Sequence, residues 1–137
     1  IFLELALVAG VLAVTAGWRF TPPPRNIQAT GRTLHIHTNK LMATITFEPG
    51  RSGVNKVRME LMTGDFTPID PKETTLILAP GDGATEPLSR VAQRVGDGTW
   101  RVDDFVVPVP GRHAVVVEAL ISDFDKLTIA EDFDFRR

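Results

Sequence analysis

The fold is decided by an alternation of apolar and polar side chains in LMATITF, residues 41–47. Apolar residues occupy the odd positions from Leu41 to Phe47, and the two threonines occupy even positions. Successive side chains of a strand point to opposite faces, so this pattern predicts a strand with one face in a core and the other toward solvent. Met42 is the one apolar side chain on the predicted polar face.

The same two-residue period returns at residues 57–62 and, less strictly, at 127–135, and turn sequences with glycine and proline bound the other apolar stretches. Further strands are predicted at residues 34–37, 57–62, 74–79, 88–95, 99–106, 112–122 and 127–135. Gly96-Asp97-Gly98 predicts a hairpin, residues 63–72 a loop, and Trp100 a core aromatic. About eight short strands without a helix among them predict an all-β fold, an immunoglobulin-like antiparallel β-sandwich.

The first 18 residues differ in character, because they are apolar apart from Glu4 and Thr15. A segment of this length with few charges predicts a transmembrane helix. A signal peptide would have a basic start, and a buried helix of a globular domain would be amphipathic. Three prolines at 22–24 then favour an extended spacer. We therefore predict a transmembrane helix at 1–19, a Pro-rich linker at 20–32 and a β-sandwich at 33–137.

A His-x-His pair lies just before the alternating strand. On an extended strand His35 and His37 share one face, while Leu34 and Ile36 face the core. Two imidazoles with a nearby thioether, Met42, suit a soft transition metal, with copper first. A bare His-x-His pair is weakly specific and is also compatible with two polar residues on a strand surface, so the sequence leaves both interpretations open.

Strand parity sorts the remaining candidate ligands. Met59 shares the inward parity of its strand and is predicted to fill the core, whereas Met62 falls on the polar side with Met42. We therefore take Met62 as a further candidate metal ligand. His113 has the parity of inward-facing valines and is predicted to be a strand-end or core histidine.

Composition excludes several classes of function. The 137 residues have a formal net charge of −2, which gives no basic field for nucleic acid. The chain has no cysteine, which rules out disulfides, thiolate zinc sites and cysteine nucleophiles. No serine or histidine lies in a recognisable catalytic motif. We therefore expect a protein that is not an enzyme, with no catalytic residues.

Several stretches resemble the C-terminal part of the bacterial copper resistance protein D (CopD) family. Residues 2–16 with Pro22-Pro23-Pro24 resemble its last membrane helix, and the remainder resembles the YtkA-like domain fused behind it. The similarity is carried by residues 35–42, 61–66, 96–102 and 122–124. The resemblance implies copper transport or resistance at the bacterial inner membrane, with this domain in the periplasm. Most of that family's presumed metal path would lie upstream of Ile1.

Two functions from different classes therefore remain. The first is a periplasmic accessory domain that binds copper, or hands it to a periplasmic copper-binding protein, through His35, His37, Met42 and Met62. The second is a membrane-anchored immunoglobulin-like interaction module with no metal of its own. It would use residues 63–72 or an edge strand to dock a partner.

Overall fold

Two antiparallel β-sheets face each other across a shared apolar core in the computed structural model, which describes residues 1–18, 31–83 and 85–137. The strands are β1 (Arg32–His37), β2 (Met42–Glu48), β3 (Gly53–Met62), β4 (Glu73–Pro80), β5 (Leu88–Val91), β6 (Gln93–Gly96), β7 (Thr99–Val107), β8 (Gly111–Ser122) and β9 (Asp125–Phe135). One sheet has the order β1-β2-β3-β7-β6 and the other the order β5-β4-β8-β9. The predicted all-β sandwich is confirmed at this level.

The core lies between the sheets and is filled by the inward-facing residue of each alternating pair. Phe47 is at its centre, with ring-centre distances of 5.1 Å to Phe133, 5.0 Å to Phe135 and 6.2 Å to Phe105. Met59 and Trp100 are buried as predicted. The contacts of Phe47 with Phe133 and Phe135 join β2 of one sheet to β9 of the other, so burial of the aromatic cluster holds the two sheets together.

The prediction of one continuous strand over residues 88–95 is wrong. The chain instead forms β5 in the four-stranded sheet and β6 in the five-stranded sheet, with Ala92 between them. Ala92 is buried, and its amide donates a hydrogen bond to the Thr74 carbonyl over 2.8 Å. A small side chain lets the backbone cross the core edge at this point, and periodicity alone does not distinguish such a crossing from a continuous strand.

The turn that joins β2 to β3 is organised by Asn55, a fully buried polar residue. Its Oδ1 accepts a hydrogen bond from the Gly50 amide over 2.8 Å. Its Nδ2 donates to the carbonyls of Arg51 and Gly53 over 2.8 and 3.0 Å. One side chain thus replaces the ladder hydrogen bonds that the turn lacks, and it holds the backbone of Arg51 in place.

A single α-helix, α1 (Phe2–Trp18), begins the described chain. Residues 1–17 are exposed all round, including the large side chains of Phe2, Leu7 and Val14. Among the residues that the structure describes, no helix is both long and apolar enough to cross a membrane. The predicted linker lies outside the described residues except for Gly31 and Arg32, and Arg32 already belongs to β1.

Candidate metal centre

Three neighbouring strands bring His37, Met42 and Met62 into one row at the end of the five-stranded sheet. His37 is the register partner of Met42, and Met42 is the register partner of Met62. Directly opposite residues of an antiparallel pair have Cβ atoms about 4.5–5.5 Å apart. The row therefore places one imidazole and two thioethers beside each other, although His37 and Met62 are 25 residues apart in the sequence.

The row lies on the outer face of the sheet. Ile36, Ala43 and Leu61, which alternate with the three members of the row, are all buried in the core. His37 is exposed, and the two methionines are half-buried. The prediction that these three side chains lie on the polar faces of their strands is thereby confirmed. A solute can reach the row from solvent without any opening of the core.

His35 is the next residue of β1 on the same outer face. Its ring centre lies 6.4 Å from that of His37, and the two ring planes are 29° from parallel. Its Nδ1 lies 3.3 Å from the Oγ1 of Thr44, the residue directly opposite on β2. This hydrogen bond leaves Nε2 of His35 as the nitrogen available to a ligand, and it limits rotation of the ring.

The spacing of the two rings is compatible with a shared metal ion. Nitrogen ligands lie about 2 Å from a bound transition metal, so two imidazoles on opposite sides of one ion have ring centres about 6 Å apart. The nearly parallel rings of His35 and His37 would have to turn toward each other for this geometry. Within the described residues, neither ring nitrogen of His37 has a recorded hydrogen bond that would oppose the turn.

In this part of the sheet, histidine nitrogens and carboxylate oxygens are too few to form a metal site without further ligands. Within residues 1–18, 31–83 and 85–137, no three or more His, Cys, Asp or Glu side chains form a group that could hold a metal ion. Glu60 is the register partner of Thr44 on the outer face, but its carboxylate contacts the guanidinium of Arg58 at 3.4 Å. A site at this face therefore depends on the sulfurs of Met42 and Met62.

The third histidine lies elsewhere. His113 is at the start of β8, in the other sheet, with only 2% of its surface exposed. Its Nε2 is 2.8 Å from the Val109 carbonyl oxygen, and its ring packs edge-on against Phe135 at 5.8 Å. The prediction of a strand-end or core histidine is confirmed.

The predicted loop at 63–72 borders the row, a proximity that the sequence did not predict. Pro68 forms an isolated bridge with Met62, and the Ile69 amide donates to the Leu61 carbonyl over 3.1 Å. On the other side of Leu61, its amide donates to the Gly98 carbonyl over 2.8 Å. A Cβ at Gly98, where φ is +62°, would meet the Leu61 oxygen at 2.8 Å, so only glycine fits.

An ion pair holds the loop against β6. Arg94 Nε contacts Asp70 Oδ1 at 2.6 Å, and the same guanidinium contacts Asp97 at 2.9 Å. The hydrogen bond from Arg94, followed by its positive charge, lowers the pKa of the Asp70 carboxyl, and burial opposes this only in part. At the loop tip Phe66 is 71% exposed with φ of +63°. The loop is thus fixed at its base and presents an aromatic side chain to solvent.

Comparison of the chain with protein-family models, with curated proteins and with solved structures gives no match. The resemblance to the copper resistance protein D family therefore stays a prediction based on the residues quoted above. The register of β1, β2 and β3 is the independent structural observation on which a functional argument can be built.

Proposed function

We propose that this chain is a membrane-attached copper-binding module, in which the outer face of the five-stranded sheet captures a copper ion through His35, His37, Met42 and Met62. The observation that carries the proposal is the register His37–Met42–Met62. Two methionines side by side on a solvent face have little structural purpose, since thioethers normally fill cores, as Met59 does.

The donor types favour copper over other metals. Imidazole suits Cu(II), and the softer thioether suits Cu(I), so a set of two of each can hold either oxidation state. Zinc sites in proteins use thiolate, imidazole and carboxylate, and hard cations use oxygen, so the two thioethers suit neither class of metal. We expect the two methionines to matter most for Cu(I) and the two histidines most for Cu(II).

The position of the donors favours transfer over storage. His35 and His37 are exposed, and no described element covers them. An ion bound there can be approached by a second protein and removed by ligand exchange, without local unfolding. We therefore propose the role of a periplasmic accessory domain of a copper transport or resistance protein, with a periplasmic copper-binding protein as exchange partner and the bacterial inner membrane as location.

The membrane attachment is proposed from α1. Its apolar side chains are exposed on every side, so a lipid phase or other apolar helices would have to cover them. The proposed transmembrane assignment rests on this composition. The immunoglobulin-like subtype is likewise a proposal, supported by the all-antiparallel pairing and by connections that pass between the two sheets.

A copper titration of the full chain in detergent micelles tests the site. We expect one Cu(I) and one Cu(II) equivalent to bind under competition with a chelator. Replacing both histidines (H35A/H37A) should weaken Cu(II) binding by at least tenfold. The matched control is T33A/T46A, which changes two outer-face residues of the same strands away from the row. Equal affinity in H35A/H37A and the parent chain would refute the assignment of these ligands.

The alternative function, an interaction module without a metal of its own, is favoured by one feature. The loop at 63–72 presents Phe66 from a base fixed by hydrogen bonds and by the Arg94–Asp70 pair. A rigid exposed aromatic is typical of docking surfaces. A chain that binds no copper but binds a partner protein, and loses that partner in F66A, would support this function instead.

A further inference from the structure

Four arginines gather at the end of the sandwich opposite the histidine and methionine row. Arg32, Arg51, Arg136 and Arg137, together with Pro49, line an open recess of about 380 Å³, which we call the arginine end. They come from the start of β1, the turn between β2 and β3, and the segment after β9. Four guanidinium groups thus share one small recess.

These arginines are not neutralised by the described part of the protein. The ion pairs recorded there all involve other basic residues, namely Arg58, Lys72, Arg94, Arg101 and Lys126. Two carboxylates lie near these arginines in strand register: Glu48 is opposite Lys56, and Asp134 is opposite Arg112. Within the described residues, neither carboxylate forms an ion pair with an arginine of the recess. The recess therefore keeps an unbalanced positive charge.

Backbone and side-chain contacts hold these arginines close to one another. Arg51 and Arg136 form a parallel bridge, and the Ser52 amide donates to the Arg136 carbonyl over 2.8 Å. Asn55 fixes the Arg51 carbonyl, as described above. The guanidinium of Arg32 lies 4.7 Å from the centre of the Phe133 ring, and it donates a hydrogen bond to the Asp134 carbonyl. Like charges held side by side are destabilising unless an anion lies between them.

The covalent path of the chain indicates which kind of anion lies within reach of the arginine end. Arg32 is the first residue of β1, so the chain arriving from α1 enters the sandwich at the arginine end. Thirteen residues, 19–31, separate Trp18 from Arg32. A segment of this length spans at most about 45 Å when fully extended. A helix held in a bilayer would therefore keep the arginine end close to the lipid headgroups, at a high local concentration.

We propose that the arginine end docks the sandwich onto an anionic lipid surface. Guanidinium groups bind phosphate oxygens with two parallel hydrogen bonds, and phospholipid headgroups present such phosphates in a dense layer. Juxtamembrane basic clusters are attracted to anionic leaflets by the surface potential, an attraction that salt screens. This docking rests on the proposed membrane attachment of α1, and it is independent of copper binding.

The absence of native cysteine makes a direct test possible. A single cysteine at Ser52, beside the arginine end, or at Asn39, between β1 and β2 at the other end, is labelled with a donor fluorophore. The full chain is reconstituted into phosphatidylcholine vesicles with or without phosphatidylglycerol, with an acceptor on the headgroups. We expect stronger energy transfer from position 52 when phosphatidylglycerol is present, and no such gain from position 39.

The gain at position 52 should disappear at about 0.5 M NaCl, where the Debye length is about 4 Å. It should also fall in R51Q/R136Q, with a docked-to-free ratio reduced about fivefold for each arginine removed. The matched control K40Q/R90Q removes the same charge from exposed residues that have no recorded ion pair within the described chain and lie outside the recess. It should keep the gain. Transfer that is equal in both lipids, or a loss in K40Q/R90Q as large as in R51Q/R136Q, would overturn docking.

Two further measurements distinguish failure of the helix anchor from failure of the docking by the arginine end. Flotation with pure phosphatidylcholine vesicles reports attachment through α1 and does not depend on the arginines. A chain that floats only with phosphatidylglycerol, and only with its arginines intact, would support docking while refuting the helix anchor. A chain that floats with neither lipid would refute both. Inorganic phosphate that quenches the label at position 52 equally on both lipids would show a small-anion site, and would also overturn lipid docking.

Discussion

Met42 lies directly opposite Met62 where β2 pairs with β3, on the solvent side of the five-stranded sheet. His37 continues the row on β1, and Pro68 borders it on the far side. The two sulfurs are therefore held by a three-strand ladder whose inward side is packed in the core. Such a ladder positions soft ligands without the cost of ordering a loop when the metal binds.

Replacing both methionines by leucine (M42L/M62L) should weaken Cu(I) binding at least tenfold, because two thioether ligands are lost. Cu(II) binding should change less, because the imidazoles remain. The measurement is a competition titration for each oxidation state, and M59L, a core methionine, is the matched control. If both oxidation states lost equal affinity, the division of roles between sulfur and nitrogen would be wrong.

Asn55→Ala should destabilise the sandwich by about 2–3 kcal/mol, because the Gly50 amide and the Arg51 and Gly53 carbonyls lose their partner in a buried turn. Urea denaturation of the full chain followed by near-ultraviolet circular dichroism measures the loss. Asn39→Ala, at an exposed position, should stay within about 0.5 kcal/mol of the parent chain. A loss in N55A no larger than in N39A would contradict the role of this side chain.

The pKa of Asp70 should be below its ordinary value of 3.8, because Arg94 donates a hydrogen bond to the carboxylate and lends it a positive charge. A pKa that folding lowers adds stability above the unfolded-state pKa, and this contribution is lost as pH falls through the folded value. The loss therefore belongs to the range below about pH 4. Carboxyl chemical shifts measured against pH report it directly.

In Arg94→Gln the Asp70 pKa should rise toward 3.8, since both causes that lower it are removed while the effect of burial, which raises it, remains. Arg101→Gln removes an equal charge from a guanidinium that contacts Asp103 at 3.0 Å, and it should leave Asp70 unchanged. A return of the Asp70 pKa in both variants would indicate a general effect of net charge instead of the local contact.

Most strands could be predicted because side-chain alternation follows directly from burial on one face. For the same reason, the sequence predicted which face of its strand carries each candidate ligand, namely His35, His37, Met42 and Met62. The crossing at Ala92 was missed because no glycine or proline marks a break between residues 88 and 95. The hydrogen-bonding role of Asn55 was missed because an asparagine near a turn is usually exposed.

The register between strands could not be read from alternation. A shift of two residues keeps every side chain on its face, yet it would separate Met42 from Met62. The turn at residues 49–52 decides that register, and its geometry depends on Asn55. The arginine end could not be predicted from the sequence either, because its members lie at positions 32, 51, 136 and 137 and meet only when both sheets have formed.

Strand β1 has a residue of the arginine end at its start and a candidate copper ligand at its finish. Its five residue steps, at about 3.3 Å each, span about 17 Å. A sandwich resting on lipid through Arg32 would thus raise His37 above the headgroup layer by a fixed height. A copper carrier could then approach sideways from the aqueous phase and leave again while the domain stays seated on the membrane.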